Sequence, residues 1–326
     1  MRSSLPFFRL FPPPKFMLMP HAGLDISDDG ISAISYSGFG GTRHVSSYGR
    51  TDIPAGLLTG GDIKDESEFI SRLRDFGKKN SLKDVKVSVP EEKAYLFQTD
   101  VPSTDQKTIE QNIEFKLEEN VPLSGADAVF YFDLLPNAAT GGSLRASVSV
   151  VPRTYIEHYM SLLESAGLRP ISFETAPKAL ARAVIPSGSD KTRLLIHVMS
   201  KKTGMYLVSG NVIHFTLTSS WGSAALQDRS NTATALDFGR EIDRVRAYWL
   251  SRGTGKDVEE LLLISKDAEK LEPLFNSMAG GALTVRIADV WCNATNLEKY
   301  IPPISRAESL EYAVAAGLAF DTPRSA

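Results

Sequence analysis

The feature that most constrains this chain is a strand meander that occurs twice. GLDIS, at 23–27, lies in a first strand, HAGLDIS, which is followed by the turn DDG and a second strand, ISAISYS; RHVSSYGRTDI, at 43–53, supplies a third. About 170 residues later LLIHVMS, KKTG, MYLVSG and NVIHFTLTSS repeat the order. Helical sequence follows each copy. The first is at 66–78, where Phe69, Ile70, Leu73 and Phe76 fall near helical spacing; the second is at 234–251, with Leu236, Ile242, Val245 and Trp249 expected inward. A recurring unit of this kind predicts two similar lobes facing each other across a cleft. The turn after the first strand of each lobe then points at the cleft. With 326 residues the chain is long enough to give each lobe its own core.

Composition removes several classes of function. Charged residues make up 23% and the net charge is −3, so no basic surface calls for nucleic acid. The single cysteine, Cys292, excludes an intramolecular disulfide and a multi-cysteine metal site, and reads as a buried structural thiol. The five histidines show no HExxH-type spacing, and no apolar run approaches the ~18 residues of a membrane-spanning helix. The paired acids Glu91-Glu92, Glu118-Glu119 and Glu259-Glu260 read as solvated faces or helix ends. Arg240, Arg244 and Arg246 share a helix with Glu241 and Asp243 and read as a solvated face, and the three tryptophans read as packing residues.

In chain order, residues 1–20 form a tail, MRSSLPFFRLFPPPKFMLMP, with Arg2, Arg9 and Lys15, no acid, and Pro12–Pro14 in polyproline form. It reads either as a tail packed on the surface or as a docking peptide for a membrane or a hydrophobic groove. A first lobe runs over 21–185. Inside it, residues 93–167 read as a self-contained β-α-β-β-α module that is separable from the lobe. Its first helix places Ile109, Ile113 and Leu117 on one face, and its last ends at Gly167. PSGSDKT links to a second lobe, and the lobe boundaries are 186–305. Residues 307–320, rich in Ala and Gly, predict one close-packing helix that returns under the first lobe, within a C-terminal segment of 306–326.

Four stretches carry a family resemblance: GLDISDDGISAISY, VKVSVPEEKAYLFQTDVP, IEQNIEFKLEENVPLSGADAVFYFDLL and VVPRTYIEHYMSLLESAGLRPISFETAPKALARAV. In that order the chain resembles the PilM family of type IV pilus assembly proteins, related to the cell-division protein FtsA. The resemblance spans about residues 20–320 and is strongest at 85–185. It implies an α/β, two-lobed actin-like ATPase fold with the inserted module. It also implies a cytoplasmic protein, peripheral at the inner face of the cytoplasmic membrane, within the pilus inner-membrane alignment complex. The implied partner is the cytoplasmic N-terminal peptide of a PilN-like membrane protein. A groove between the module and the first lobe is its expected seat. There Tyr95 with Phe97, and Phe130 with Phe132, alternate on strand faces.

The same resemblance implies a nucleotide site, and the residues depart from it. Such a site needs an acid in the first turn, an Asp-x-Gly in the second and a Gly-Gly after a late strand. Asp25 meets the first requirement, but Ser27, Asp28 and Asp29 follow where Gly is usual. In the second turn the acid is replaced by His197 and the glycine by Met199. Thr203, near Lys201 and Lys202, keeps phosphate-friendly character. Ser265-Lys266 stands at the Gly-Gly position, where side chains hinder backbone approach. The implied cofactor set is therefore at most ATP, held weakly by Asp25, Ser27, Thr203 and Ser265 in a degenerate site, with no catalytic residue and no metal. Three readings stay open here: a pilus-assembly scaffold, an FtsA-like polymer subunit and an active actin-like ATPase.

Overall fold

The computed structural model describes residues 21–38, 43–102, 105–135, 143–228, 232–252, 257–281 and 283–320. The basic tail at 1–20, the loop around 136–142 and the GTGK break at 253–256 lie outside them. The chain opens with β1 (Ala22–Ser27), β2 (Gly30–Ser37) and β3 (His44–Thr51), then a small hairpin of β4 (Leu58–Thr59) and β5 (Asp62–Ile63). Next come α1 (Glu66–Lys79), β6 (Asp84–Val89), a 3-10 turn (Glu91–Lys93) and β7 (Tyr95–Pro102). α2 (Gln106–Asn120), β8 (Ala128–Leu134), β9 (Ser143–Pro152), α3 (Arg153–Ser165), β10 (Arg169–Thr175) and α4 (Ala176–Val184) follow. The second meander is β11 (Arg193–Val198), β12 (Thr203–Ser209) and β13 (Val212–Ser219). After it come α5 (Ser223–Gln227), α6 (Thr232–Ser251), β14 (Glu260–Ile264), α7 (Ala268–Ala279) and β15 (Thr284–Ile287). The last helices are α8 (Arg306–Ser309) and α9 (Ala313–Leu318).

Two sheets share one topology. The first runs β10-β6-β1-β2-β3 and the second β13-β12-β11-β14-β15. In each, the meander is antiparallel and two later strands add in parallel on the far side of the first. The described residues form two compact units, one of 21–89, 158–186 and 289–320, the other of 90–157 and 187–288.

In the first unit, α1 begins where Asp65 accepts from the Glu68 amide at 3.0 Å. Glu66 and Glu68 lie in its first turn and Lys78 and Lys79 in its last, which complements the helix dipole. Phe69, Leu73 and Phe76 bury its inner face. α3 packs here as well: Tyr159, Leu162 and Leu163 are buried, and the Tyr159 ring meets Phe69 edge-on at 6.5 Å. α9 approaches β1 so closely that only Gly fits at position 23, where a Cβ would lie 1.9 Å from the Ala315 carbonyl oxygen.

In the second unit, α2 covers the three-stranded sheet β7-β9-β8. Ile109, Ile113 and Leu117 pack on Val101, Ala146, Val148 and Val150, with Phe97, Phe130 and Phe132 against them. The opposite face of that sheet meets β13, where the Ser147 hydroxyl donates to the Ile213 carbonyl at 2.7 Å.

Three expectations are corrected. Leu236 is exposed, because Phe238, Ile242, Val245 and Trp249 make the buried stripe of α6 and position 236 lies about 200° around from 238. The single helix expected at 307–320 is broken: Ser305 and Glu308 form a capping box, and Tyr312, at φ −106° and ψ 4°, separates a 3-10 turn from α9. Glu260 is buried rather than solvated, since Arg193 at 2.7 Å and Arg286 at 3.1 Å neutralise it.

Candidate functional site

The first turn follows β1 in the first unit. Asp25 pairs in register with Ser32 of β2, and Ser27 with Gly30. The Ser27 hydroxyl donates to the Gly30 carbonyl at 3.4 Å. The Ile26 amide donates to the buried Ser88 hydroxyl at 3.1 Å, which ties β1 to β6. Asp28 follows in the turn itself. Its carboxylate accepts the Gly60 amide at 2.8 Å, and the neighbouring Gly61 carbonyl accepts from Tyr159 at 2.9 Å. The β4–β5 hairpin is thereby pinned between the first turn and α3.

The second and third turns lie at one end of the second unit's sheet. Thr203 pairs with Val198, and Ile264, one residue before Ser265, pairs with His197. Thr203 and Ser265 therefore flank the end of β11, about two strand spacings (~10 Å) apart. Thr203 is buried and its hydroxyl donates to the Trp221 carbonyl at 2.6 Å. The Met199 amide donates to the Lys202 carbonyl at 2.9 Å, closing the turn on itself, and the Met199 carbonyl receives the Ser223 amide at 2.9 Å. Gly222 packs so tightly there that a Cβ would stand 2.0 Å from the Ser200 carbonyl oxygen. Ser265 is buried, and its hydroxyl accepts the Asp267 amide at 3.2 Å just ahead of α7.

Sequence reasoning missed the residues that act on this turn. Lys202 is ion-paired with Glu92, and the pair is largely shielded from solvent. Glu91 accepts from the Tyr206 hydroxyl at 3.0 Å and from Thr218 at 3.1 Å. Glu91 and Glu92 open a 3-10 turn, one of the two expected settings, and Glu91 ties that turn to β12 and β13. The only sequence cue is Pro90, which ends β6 and fixes where that turn begins. Beside it lies a relay: Arg252 donates to the Gln98 side-chain oxygen at 2.7 Å, and the Gln98 amide faces His214 Nδ1 at 3.3 Å. His214 Nε2 reaches the Ser209 carbonyl at 3.3 Å. Burial pushes the His214 pKa down, and the nearby Arg252 adds to that.

Elsewhere, Cys292, expected to be buried, is a part-buried thiol whose Sγ donates to the Ala183 carbonyl at 3.2 Å. Among the described residues there is no metal-ligating cluster, and no helix is long and apolar enough to cross a membrane.

Two sheets of one topology, each opening with the same meander, define an actin-like ATPase fold. A solved structure described as a PilM-PilN type IV pilus biogenesis complex matches 92% of this chain and 98% of its own, with a TM-score of 0.73 at 17% identity. The chain belongs to the family of the type IV pilus assembly protein PilM, whose pattern it matches over residues 23–239. The cytoplasmic domain of EpsL, an inner-membrane component of the Vibrio cholerae type II secretion system, aligns over 90% of this chain and 94% of its own. Its TM-score is 0.48 at 11% identity. A Bacteroides thetaiotaomicron protein of actin-like ATPase fold and unknown function aligns over 86% and 93%, with a TM-score of 0.42 at 11% identity. No curated protein matches the sequence.

Proposed function

We propose that this chain is a non-enzymatic scaffold of a type IV pilus or related secretion machine, held at the inner face of the cytoplasmic membrane by the N-terminal peptide of a PilN-like membrane protein. The observation that carries this reading is family membership over 23–239, a span that takes in the first meander, the module and the second meander. The module supplies a surface suited to an extended peptide. β8 is an edge strand of the sheet β7-β9-β8, and Val129, Tyr131 and Leu134 on it are exposed. An added strand would gain main-chain hydrogen bonds there and side-chain contacts on alternate positions. The test is a calorimetric titration with a synthetic peptide of the first residues of the PilN-like protein. Saturable binding is expected, weakened at least about tenfold by Val129→Lys with Tyr131→Lys. No binding rejects the partner; unchanged affinity of the double variant rejects the β8 edge.

The residues do not fit a nucleoside triphosphate, and on this reading the site is degenerate. Lys202 is spent on Glu92, Thr203 on Trp221, and the Ser265 side chain stands where backbone approach is needed. With Glu92 neutralised by Lys202, Glu91 still brings a carboxylate to the strands beside the second turn. At an effective dielectric of ~20, one like-charge pair at 4 Å costs about 4 kcal/mol. A phosphate-release assay is expected to show no magnesium-dependent turnover. Turnover abolished by Asp25→Ala would overturn this.

A further inference from the structure

The edge strand β8 has two unlike faces, and its backbone decides which of them a bound strand reads. The Leu135 amide donates to the Arg145 carbonyl of β9, and the Arg153 amide to the Asp127 carbonyl, each at 2.8 Å. In an antiparallel ladder such bonds recur at every second residue. Asp127, Val129, Tyr131 and Asp133 therefore turn their backbone groups to β9. Phe130, Phe132 and Leu134 turn theirs outward, to the open edge. Ala128 does the same, but its carbonyl already accepts from the Arg153 guanidinium at 3.0 Å. The stretch open to a new strand is thus Phe130–Leu134.

Side chains level with one another on neighbouring strands share a face of the sheet. A ligand residue beside Phe130, Phe132 or Leu134 therefore points to the side where α2 packs. That side is apolar: Phe130 and Phe132 are partly buried against the core under α2, and Leu134 is 42% exposed. Its rim is acidic. Seen down α2 from the buried Ile113, Glu110 and Glu114 lie about 60° and 100° round on one flank, and Lys116 about 60° round on the other. Lys116 donates to the Asp100 carbonyl of β7 at 2.6 Å, so its flank overlies β7. The Glu114 flank overlies β8, for its Cγ stands 3.4 Å from where a Cβ on Gly125 would be, in the loop into β8. β7 and β8 both run antiparallel to β9, and α2 returns along β7. Glu110, one turn nearer the helix start, therefore stands nearer the middle of β8. It accepts from the neutral Gln106 amide at 2.8 Å, and neither acid has a cationic partner among the described residues.

We propose, with β8 as the peptide seat on which this rests, that the edge selects an extended ligand carrying a basic residue two positions from an aliphatic one. The aliphatic side chain lies level with Phe132, against Phe132 and Leu134. The basic one lies level with Phe130, under Glu110 and Glu114. Intervening side chains fall on the other face, beside Tyr131, and carry no such requirement. Salt weakens the charge contact, which separates it from the apolar one.

The test is selection of a phage-displayed library of random peptides of about nine residues on the immobilised full-length protein, then calorimetry with the enriched peptide. Enriched sequences are expected to place Lys or Arg two positions from Val, Ile or Leu. Glu110→Gln with Glu114→Gln is expected to weaken that peptide at least about tenfold at ~50 mM salt. The same double variant should lose most of the sensitivity to ~500 mM salt that the unaltered protein shows. Leu134→Asn is expected to weaken binding by a similar factor without changing the salt sensitivity. Glu119→Gln, exposed and about 120° round from Ile113 on the far side, is expected to leave affinity within about twofold. No enrichment, enriched peptides without that spacing, or equal affinity of the Glu110, Glu114 double variant and the unaltered protein overturns the proposal. In that last case Val129→Lys with Tyr131→Lys still reports whether β8 is the seat, so the two failures are read apart.

Discussion

A methyl group at position 23 would sit 1.9 Å from the Ala315 carbonyl oxygen, and one at position 317 would sit 1.7 Å from that of Ala179. Both obstacles are backbone, so neither can swing aside. Gly23→Ala and Gly317→Ala are each expected to cost more than about 3 kcal/mol, read as a lowered denaturation midpoint. Gly239 on α6 has open space around it, so Gly239→Ala is expected to stabilise by about 0.5–1 kcal/mol. His214 gives a second prediction at this scale. Its pKa in the folded state lies below the ordinary 6.5, so the unfolded chain binds the proton more readily. Its contribution is complete above about 6.5 and is lost as pH falls toward the folded value. Protonation would also set an Nδ1–H against the Gln98 amide, a donor against a donor. Urea unfolding at pH 7.5 and 5.5 should show lower stability at the acid value, and His214→Gln should flatten the difference.

At the scale of elements, α3 decides what the module can lose. The spacing of strands and helices reads as a separable unit over 93–167, yet Tyr159, Leu162 and Leu163 are buried in the first unit. Removing such side chains costs about 2–5 kcal/mol each, against a total stability of about 5–15 kcal/mol. A variant lacking 93–167 is therefore expected to lose cooperative unfolding of the first unit, as followed by near-ultraviolet circular dichroism. Tyr159→Phe keeps the ring and loses only the bond to the Gly61 carbonyl. A loss of about 1 kcal/mol is expected.

For the whole molecule, the scaffold reading predicts a response to peptide and little to nucleotide. A ligand that binds only the folded state raises its stability by RT ln(1 + [L]/Kd). Millimolar magnesium-ATP is expected to shift the melting temperature by less than about 1 °C. A larger rise, lost in Asp25→Ala, would mean that Asp25 still serves a working site.

The sequence by itself determined the doubled meander and the helix faces at Phe69–Phe76 and Ile109–Leu117. These are written in periodicities of two and 3.6 residues, which any short window contains. It also marked Asp25, Ser27, Thr203 and Ser265, because turns after strands are local features. Only the tertiary structure decided what those turns touch. Glu91 meets Tyr206 across 115 residues, Glu92 meets Lys202 across 110, and Arg193 meets Glu260 across 67. A run such as Glu259-Glu260 reads as solvated until a distant guanidinium supplies the compensation that burial of Glu260 demands. No local pattern carries that information.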